Sequence, residues 1–328
     1  MNKIQLFFVV LLGISQCFSQ EVFQRTFYKM GSDFELTFVA TDSIFAEEVF
    51  AISLAEIDRI ENLISSWKPT SETSEVSKFS GIRPVEVSKE LLGLVERANY
   101  ISKLTNGAFD ISYAAVDGLW NFDGREMVPP SAEEITNSIA KIGYKEIQIN
   151  VERQTLFLKQ PKMKIGFGAI GKGYAADRVK AMLIDKGVKS GIINAAGDMS
   201  AWGTQLDGTP WKIGVINPMN KSKVFAWFDL KDNAVVTSGD YERFVTMNGK
   251  RYGHIINPKT GYPSEGVVSC TVFAPKAELA DALATALFVM GIEAGINFVN
   301  QLPQVEALMI DEKGKIFSST QIDLDEEI

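Results

Sequence analysis

The segment from Ile165 to Asp177 reads IGFGAIGKGYAAD and holds four glycines and one lysine. Glycine lets the backbone approach a ligand closely and adopt a positive φ that other residues resist. Apolar residues then recur at helical spacing up to Gly187, so the glycines lie where the free N–H groups of a helix N-terminus favour an anion. Lys172 adds a positive charge, and the segment therefore predicts a phosphate site. The alternative is a tight strand-to-helix turn without a ligand, and the spacing fits neither a Walker A motif nor a dinucleotide fingerprint.

His254 is the only histidine of the chain, so any imidazole base must be this residue. The pair Asn248-Gly249 predicts a hairpin that joins a strand over 243–247 to a second strand over 250–256, which carries His254. The following turn from Asn257 to Pro263 would fix the end of that strand. The alternative interpretation is a strand histidine that is hydrogen-bonded to a neighbour and has no chemical role.

Asp281 and Thr285 are spaced i, i+4 in a predicted helix over 277–290 and therefore share one face. A carboxylate and a hydroxyl are hard oxygen ligands, which suit Mg²⁺ completed by water, a backbone carbonyl and phosphate. The alternative is an ordinary solvated face. The helix is apolar almost all round, however, which favours a specific partner for the polar pair. The chain has no Cys/His cluster for zinc.

Two loops carry aromatic side chains that could contact a planar ligand. The stretch from Trp67 to Phe79 (WKPTSETSEVSKF) is a polar loop between two aromatic residues, an arrangement that could stack a ring and bond its polar edge. The alternative is a capping loop whose tryptophan fills the core. A second, more apolar loop starts at Gly107 and continues to Phe122, and we expect it to be packed.

The elements that must position these residues alternate irregularly along the chain. Helices are predicted from Phe45 to Trp67 and from a Ser88 cap to Asn106-Gly107. Short strands are bounded by turn residues, which favours an α+β fold with largely antiparallel sheets and packed helices over a doubly wound parallel sheet. The predicted strands span 33–40, 146–151, 155–158, 188–194, 211–216, 225–230 and 235–237.

Residues 1–19 have the features of a secretory signal peptide, with Lys3 before an apolar run from Leu6 to Ile14. Small residues suit cleavage before Gln20, and the alternative is lipid attachment at Cys17 with anchoring to a membrane. Removal of this segment leaves 32 basic residues against 41 acidic ones, a net charge of −9. We therefore expect an exported, periplasmic protein and no nucleic-acid partner.

The rest of the chain, residues 20–328, is predicted to be one domain that forms a single large core or two lobes. Nearly half of the residues are apolar, and no repeat or long linker divides them. Cys270 is the only cysteine after cleavage, so stability must come from the core and not from an internal disulfide.

Together these segments resemble the FAD:protein FMN transferase (ApbE) family from about Met30 to Lys315. No single segment identifies the family, but the combination is specific. The matching pieces are Met30-Gly31-Ser32, Trp67 to Ser74, Gly107 to Asp110, Gly168 to Tyr174, Asn194 to Asp198, Thr237 to Glu242, His254-Ile255 with Pro258-x-Thr260-Gly261, and Asp281 to Thr285.

The resemblance assigns roles to individual residues. It implies that His254 is the base that deprotonates an acceptor threonine. Asp281, Thr285 and the backbone carbonyl of Ala169 would hold Mg²⁺. The implied FAD site is lined by Met30, Trp67, Ala108, Phe109, Asp110, Lys172 and Ile255.

The resemblance also implies an activity and a fold. Members use Mg²⁺ to split FAD and esterify FMN to a threonine of another protein, such as a subunit of a membrane redox complex or an exported electron carrier. Their fold is a duplicated T-fold-like arrangement. Three positions depart from frequent family residues: Gly166, Ala284 and Asn257 each stand where an acidic residue is common. The alternative functions are an FAD pyrophosphatase that gives FMN and AMP, and a flavin-binding protein without chemistry.

Overall fold

The computed structural model describes residues 20–116, 118–220, 223–241 and 243–322. The predicted signal peptide, with Cys17, lies outside these residues, and so does Glu242 of the resemblance. Among the described residues, no helix has the length and apolar character needed to cross a membrane.

The strands are short and are joined mostly by turns. They are β1 (Glu21–Lys29), β2 (Ser32–Ala40), β3 (Val85–Glu86), β4 (Ile147–Asn150), β5 (Thr155–Leu158), β6 (Gly191–Ala195), β7 (Asp198–Trp202), β8 (Trp211–Ile216), β9 (Val224–Leu230), β10 (Ala234–Gly239), β11 (Phe244–Met247), β12 (Lys250–Gly253), β13 (Val267–Ala274), β14 (Glu306–Asp311) and β15 (Ile316–Ser318).

The first four helices each begin after an Asp or Ser side chain that caps the first turn. They are α1 (Ser43–Ile64), α2 (Glu72–Lys78), α3 (Lys89–Leu104), α4 (Ala132–Ile139), α5 (Gly171–Asp185), α6 (Ala277–Met290) and α7 (Ile292–Val299), with 3-10 turns at Ile111–Val116 and Tyr144–Glu146.

The main sheet contains eight strands in the order β1-β2-β6-β7-β10-β13-β14-β15. Every pair of neighbouring strands in the described part of the chain runs antiparallel, both in this sheet and in the three smaller ones. The predicted α+β class with largely antiparallel sheets is therefore confirmed. The predicted division of residues 20–328 into one core or two lobes stays a prediction.

Helices α5 and α6 pack on each other and on this sheet, and they bring the glycine-rich segment beside the Asp281 helix. Their buried faces join the large apolar core, which includes Val179 and Leu183 of α5 and Leu283 and Leu287 of α6. Burial of each such side chain contributes about 1.5–3 kcal/mol. The two helices are thus held against the sheet by the core and not by their own helix propensity.

Two predicted elements differ from the structure at the places that matter for function. The segment predicted as a loop from Trp67 to Phe79 contains α2, because the Ser71 side chain caps that helix by accepting from the N–H of Ser74 at 3.0 Å. Strand β12 ends at Gly253, so His254 lies just beyond the strand and not on it. Its N–H still pairs with the carbonyl of Arg243 at 3.1 Å.

Candidate active site

One cavity of about 920 Å³ lies beside the N-terminal end of α5 and the first half of α6. Its volume is in the upper part of the range of about 300–1,000 Å³ for small-molecule sites. All residues that the sequence proposed for flavin, metal and proton-transfer roles line it, namely Met30, Trp67, Ala108, Phe109, Asp110, Ala169, Lys172, His254, Ile255, Asp281 and Thr285. The structure therefore brings them together, while their individual roles stay predictions.

A lysine and two carboxylates form the charged end of the cavity. Lys172 Nζ lies 3.2 Å from Asp198 Oδ2, and the side chain of Asp281 is a close neighbour of Asp198. Asp198 is 1% exposed and Asp281 is 4% exposed. Two acidic groups are thus removed from water beside a single lysine, which is an unusual and costly arrangement.

Burial raises the pKa of both carboxyl groups. The pKa of Asp281 lies well above its usual value, first because of burial and then because of the neighbouring Asp198; Lys172 and the N–H of Gly173 offset part of this. Burial also raises the pKa of Asp198, against the opposing attraction of Lys172. An additional positive charge near this pair would therefore favour the ionised form of both groups.

The four glycines before α5 and in its first turn allow close packing and do not provide positive φ. None of them adopts a positive φ, so that part of the sequence argument was wrong. A Cβ on Gly173 would lie 2.2 Å from the carbonyl oxygen of Ala277, and one on Gly168 would lie 2.6 Å from the Tyr113 hydroxyl. The glycines therefore let α5 approach α6 and the 3-10 turn closely.

The first turn of α5 is capped by a side chain from another helix. The N–H of Gly173 donates to Asp281 Oδ2 at 3.1 Å, and this N–H belongs to the first turn, where a helix leaves its donors unpaired. Asp281 therefore already occupies part of the anion-favouring position predicted from the glycines. A phosphate in the cavity would share this end of α5 with the carboxylate.

Three oxygen donors proposed for a metal line the same part of the cavity. Thr285 lies one turn after Asp281 on α6 and is partly exposed. Ala169 lies one residue before Ile170, whose carbonyl accepts the first intrahelical hydrogen bond of α5 from Tyr174 at 3.0 Å. The carbonyl of Ala169 thus precedes the hydrogen-bonded turns of the helix. No group of three or more His, Cys, Asp or Glu side chains suited to a metal occurs among the described residues.

His254 faces the cavity from beyond the end of β12. Its ring packs edge-on against Phe122, with ring centroids 6.4 Å apart. Burial lowers the pKa of His254 to about 4, and the nearby charges of Arg243 and Lys172 also lower it. Its buried Nδ1 makes no hydrogen bond to any described residue. The alternative of a histidine that is hydrogen-bonded to a neighbour is therefore not supported for this nitrogen, and the lowered pKa leaves the ring uncharged at neutral pH.

The most exposed aromatic side chain that lines the cavity is Trp67, at 80%, and the part of the lining around it is called the mouth here. The alternative that this tryptophan fills the core is therefore wrong. Met30 lies on the same wall, at the tip of the β1–β2 hairpin, with φ +50° followed by Gly31 at +76°. Two successive positive φ values are typical of a type I′ turn, which suits the twist of adjacent strands. The mouth is thus formed by side chains on a loop and a hairpin tip.

Ala108, Phe109 and Asp110 form a buried part of the wall. Both oxygens of Asp110 are used within the protein: Oδ1 accepts from the Ser112 N–H at 2.8 Å and hydroxyl at 2.6 Å, and Oδ2 accepts from the Tyr144 N–H at 2.8 Å. Burial raises the pKa of Asp110 despite these bonds. Asp110 therefore shapes the wall by tying two 3-10 turns together, and little of its carboxylate remains for a ligand.

The sequence reasoning missed Asp198 and Arg243 as members of the site. Asp198 belongs to the matching segment Asn194 to Asp198, but the sequence indicates no role for it. The only signal was its position after Gly197 in a turn, since its partners Lys172 and Asp281 are distant in sequence. Arg243 precedes β11, and nothing in its neighbourhood indicated that it would face the cavity and depress the pKa of His254.

Comparisons with known proteins relate the chain to one family. A family model described as the ApbE family matches residues 30–309. The FAD:protein FMN transferase of Vibrio cholerae is 31% identical over 301 residues, which cover 89% of this chain and 89% of that protein. The protein of the same name from Treponema pallidum is 30% identical, over 84% of this chain and 79% of its own length.

Solved structures agree as well. The crystal structure of the ApbE protein of Thermotoga maritima aligns with a TM-score of 0.83 and 33% identity, over 92% of this chain and 97% of that one. The flavin transferase ApbE of Vibrio cholerae aligns with a TM-score of 0.82 and 29% identity, over 92% and 98% of the two chains.

Proposed function

The chain belongs to the ApbE family, and from that premise we propose that it is an enzyme that transfers FMN from FAD to an acceptor protein. In this proposal a threonine hydroxyl of the acceptor attacks the FMN-side phosphorus of FAD. The new phosphoester bond forms as the pyrophosphate P–O bond breaks, and AMP leaves. The observation that carries the proposal is a single cavity in which a neutral histidine, a lysine and a buried acidic pair lie near an exposed tryptophan.

The donor set fits a magnesium ion. Asp281 supplies a buried carboxylate, Thr285 a hydroxyl one turn later, and Ala169 a backbone carbonyl from the start of α5. All three are hard oxygen donors, and Mg²⁺ completes its shell with water and phosphate. The raised pKa values of Asp281 and Asp198 also indicate a site that favours an added cation. When bound there, Mg²⁺ would supply positive charge beside the phosphoryl oxygens.

Lys172 provides charge that belongs to the protein itself. Its ammonium lies 3.2 Å from the buried Asp198 carboxylate, which keeps it at the charged end of the cavity. Negative charge grows on the phosphoryl oxygens and on the departing AMP during attack, and a preorganised cation stabilises both. Asp198 thus orients Lys172.

His254 takes the proton from the acceptor hydroxyl as the new bond forms. A pKa of about 4 keeps the ring unprotonated at neutral pH, as a base must be. The contact with Phe122 restricts how the ring can turn. His254 is the only histidine of the chain, so no second imidazole can replace it.

The flavin ring is placed at the mouth in this proposal. Trp67 offers an exposed face for stacking, and Met30 and Ile255 offer apolar contacts on the cavity wall. The pyrophosphate then lies towards Lys172 and the start of α5. We expect the FMN-side phosphorus to lie within reach of His254, which lines the same cavity.

Two other functions would use the same cavity. In an FAD pyrophosphatase, water replaces the acceptor hydroxyl and the products are free FMN and AMP. A flavin-binding protein without chemistry needs the mouth but neither His254 nor the buried acidic pair. The cost of burying Asp198 and Asp281 together favours an enzyme over simple binding.

Incubation of the purified protein with FAD and Mg²⁺ separates these functions. With a candidate acceptor present, we expect FMN bound covalently to a threonine of the acceptor, detected by intact mass and peptide sequencing, together with free AMP. Free FMN plus AMP at the same rate with and without acceptor would identify a pyrophosphatase. Unchanged FAD in both mixtures would overturn the proposal of an enzyme.

We also propose that the acceptor is met outside the cytoplasm. The support is the apolar run of residues 6–14 behind Lys3, which is typical of a secretory signal. Acceptors of this location include subunits of membrane redox complexes and exported electron carriers. Fractionation of cells, with mass analysis of the mature N-terminus, tests cleavage before Gln20 against lipid attachment at Cys17.

A further inference from the structure

The first turn of α6 is capped by a carboxylate on α5. Asp177 Oδ1 accepts from the Ala277 N–H and Asp177 Oδ2 from the Glu278 N–H, both at 3.0 Å. The residue before the helix, Lys276, makes no side-chain cap of its own. Asp177 therefore performs, from another helix, the function that an Asp or Ser normally performs at the N-cap.

The arrangement is reciprocal. Asp281 of α6 accepts from the Gly173 N–H of α5 at 3.1 Å, while Asp177 of α5 accepts from the first N–H groups of α6. On each helix the capped residue and the capping aspartate are one turn apart, Gly173 with Asp177 and Ala277 with Asp281. Each helix thus fixes the beginning of the other.

The packing around these bonds leaves little room for adjustment. A Cβ on Gly173 would lie 2.2 Å from the Ala277 oxygen and 2.9 Å from the Asp281 Cβ, so the two backbones are already in contact. Asp177 is itself held by the Ser200 hydroxyl of β7, which donates to Oδ1 at 3.1 Å. The main sheet therefore fixes Asp177, and Asp177 fixes α6.

We propose that Asp177 is a positioning residue that sets the first turn of α6 and thereby places Asp281 and Thr285 against Ala169 and Lys172. The inference rests on the proposed metal site at Asp281 and Thr285. Asp177 acts through α6 and does not line the cavity in the described part of the chain.

Loss of the Asp177 carboxylate leaves two N–H groups of α6 without their acceptor. The first turn then frays or shifts, because free N–H groups seek water or another acceptor. Asp281 lies one turn further along and would lose its fixed distance to Ala169. We therefore expect weakened binding of Mg²⁺, with FAD stacking at the mouth nearly unchanged. Residues that orient metal ligands typically change metal affinity by about 10- to 100-fold when they are lost.

The test compares Asp177→Ala with Asp42→Ala. Asp42 caps α1 in the ordinary way, because its side chain accepts from the Phe45 N–H at 2.8 Å. This cap is at the N-terminus of α1, whereas the C-terminus of the same helix, about 30 Å away, is next to the cavity. Both variants lose a helix cap, and Asp177→Ala is expected to lower the unfolding temperature more, because Asp177 accepts three hydrogen bonds whereas the exposed Asp42 accepts one from its helix. The measurement follows the unfolding temperature of the FAD-saturated protein, which rises as Mg²⁺ is added. Only Asp177→Ala is expected to raise, by about tenfold or more, the Mg²⁺ concentration that gives half of this rise.

Two milder variants keep the test decisive if Asp177→Ala does not fold. Asp177→Asn retains one acceptor oxygen, and Ser200→Ala removes only the hydroxyl that holds Asp177. We expect both to lie between the natural protein and Asp177→Ala in Mg²⁺ affinity, with FAD affinity changed less than about twofold. Equal Mg²⁺ affinity in these variants and in Asp42→Ala would overturn the proposal.

Asp281→Ala, measured in parallel, separates this inference from the proposed function. If Asp281→Ala keeps the full response to Mg²⁺, the metal does not bind at Asp281. The proposed metal site and the positioning role of Asp177 then both fail. If Asp281→Ala loses the response while Asp177→Ala keeps it, the metal site stands and only the positioning role of Asp177 fails. Loss of the response in Asp281→Ala, with weakened response in Asp177→Ala, supports both.

Discussion

The charged end of the cavity and its mouth are built in different ways. At the charged end, Asp281 is 4% exposed and is hydrogen-bonded to the first turn of a neighbouring helix. At the mouth, Trp67 is 80% exposed on a loop. The charged end is fixed by contacts between helices and the main sheet, whereas the mouth depends on a loop and a hairpin tip.

This difference indicates which part of the cavity contributes to turnover and which part contributes to the affinity for FAD. Charges act strongly when they are buried and held in place, because little water screens them. An exposed aromatic ring adds binding energy but can move, so it tolerates changes in the bound ligand. Substitutions at the charged end should therefore change turnover, and substitutions at the mouth should change affinity.

The largest expected effect comes from Asp281→Ala. This change removes the only charged side chain among the proposed metal donors, so turnover should fall by about 1,000-fold or more while FAD still binds. Rates of acceptor flavinylation at several Mg²⁺ concentrations measure the fall. Near-normal activity that still depends on Mg²⁺ would show that the metal lies elsewhere.

Asp281→Asn is the matched control for that change. Asparagine keeps an oxygen that can accept from the Gly173 N–H but removes the negative charge. We expect Asp281→Asn to retain more stability than Asp281→Ala and to lose nearly as much activity. If the two variants differed widely in activity, capping of α5 and not charge would be the main contribution of Asp281.

His254→Asn should have the next largest effect. Loss of a general base typically costs about 100- to 10,000-fold, so transfer should fall within that range while FAD affinity changes little. Lys250→Ala, which removes an exposed cation from the same hairpin, is the control and should leave transfer unchanged. Normal transfer by His254→Asn would remove histidine from the mechanism.

The pH profile tests the surroundings of His254 with a smaller effect. The pKa of His254 is lowered to about 4, so its base form persists on acidification. We expect kcat/KM for transfer to fall less than about tenfold from about pH 8 to about pH 5, with the acid limb near the lowered pKa and not near about 6.5. The folded protein disfavours protonation of His254. The contribution of His254 to the free energy of unfolding is therefore full above about pH 6.5, the ordinary pKa, and declines as the pH falls towards the lowered pKa of the folded state. At saturating Mg²⁺, which favours the ionised form of Asp281 and Asp198, half-loss of activity near about pH 6.5 would contradict the buried environment of the ring.

The parts of the site that the sequence predicted well depend on local spacing. Asp281 and Thr285 share a helix face because they are spaced i, i+4, and that helix is confirmed as Ala277–Met290. The Ser88 cap of α3 is confirmed in the same way, since it accepts from the Leu91 N–H at 3.2 Å. Both signals lie within a few residues and need no knowledge of the fold.

The parts that the sequence did not predict depend on contacts between distant residues. Asp177 closes the glycine-rich segment, but its partner Ala277 is 100 residues away in the chain. The sequence predicted that the glycines provide backbone freedom. In the structure, Gly173 instead allows two helices to approach each other closely. His254 was placed on a strand, but its pKa depends on burial and on Arg243, which no pattern along the chain displays.

The smallest effect is expected at the mouth, for Trp67→Ala. Stacking of one aromatic ring on a planar base contributes about 1–3 kcal/mol, so the affinity for FAD should fall by about tenfold while kcat at saturating FAD stays within about twofold. Trp227→Ala is the matched control, because Trp227 is also exposed, at 66%, but lies on β9 and does not line the cavity. Fluorescence titration with FAD and steady-state transfer rates measure the two quantities separately. A large fall in kcat for Trp67→Ala would mean that the tryptophan orients the phosphorus for attack, and the division between a mouth that binds and a charged end that reacts would then be wrong.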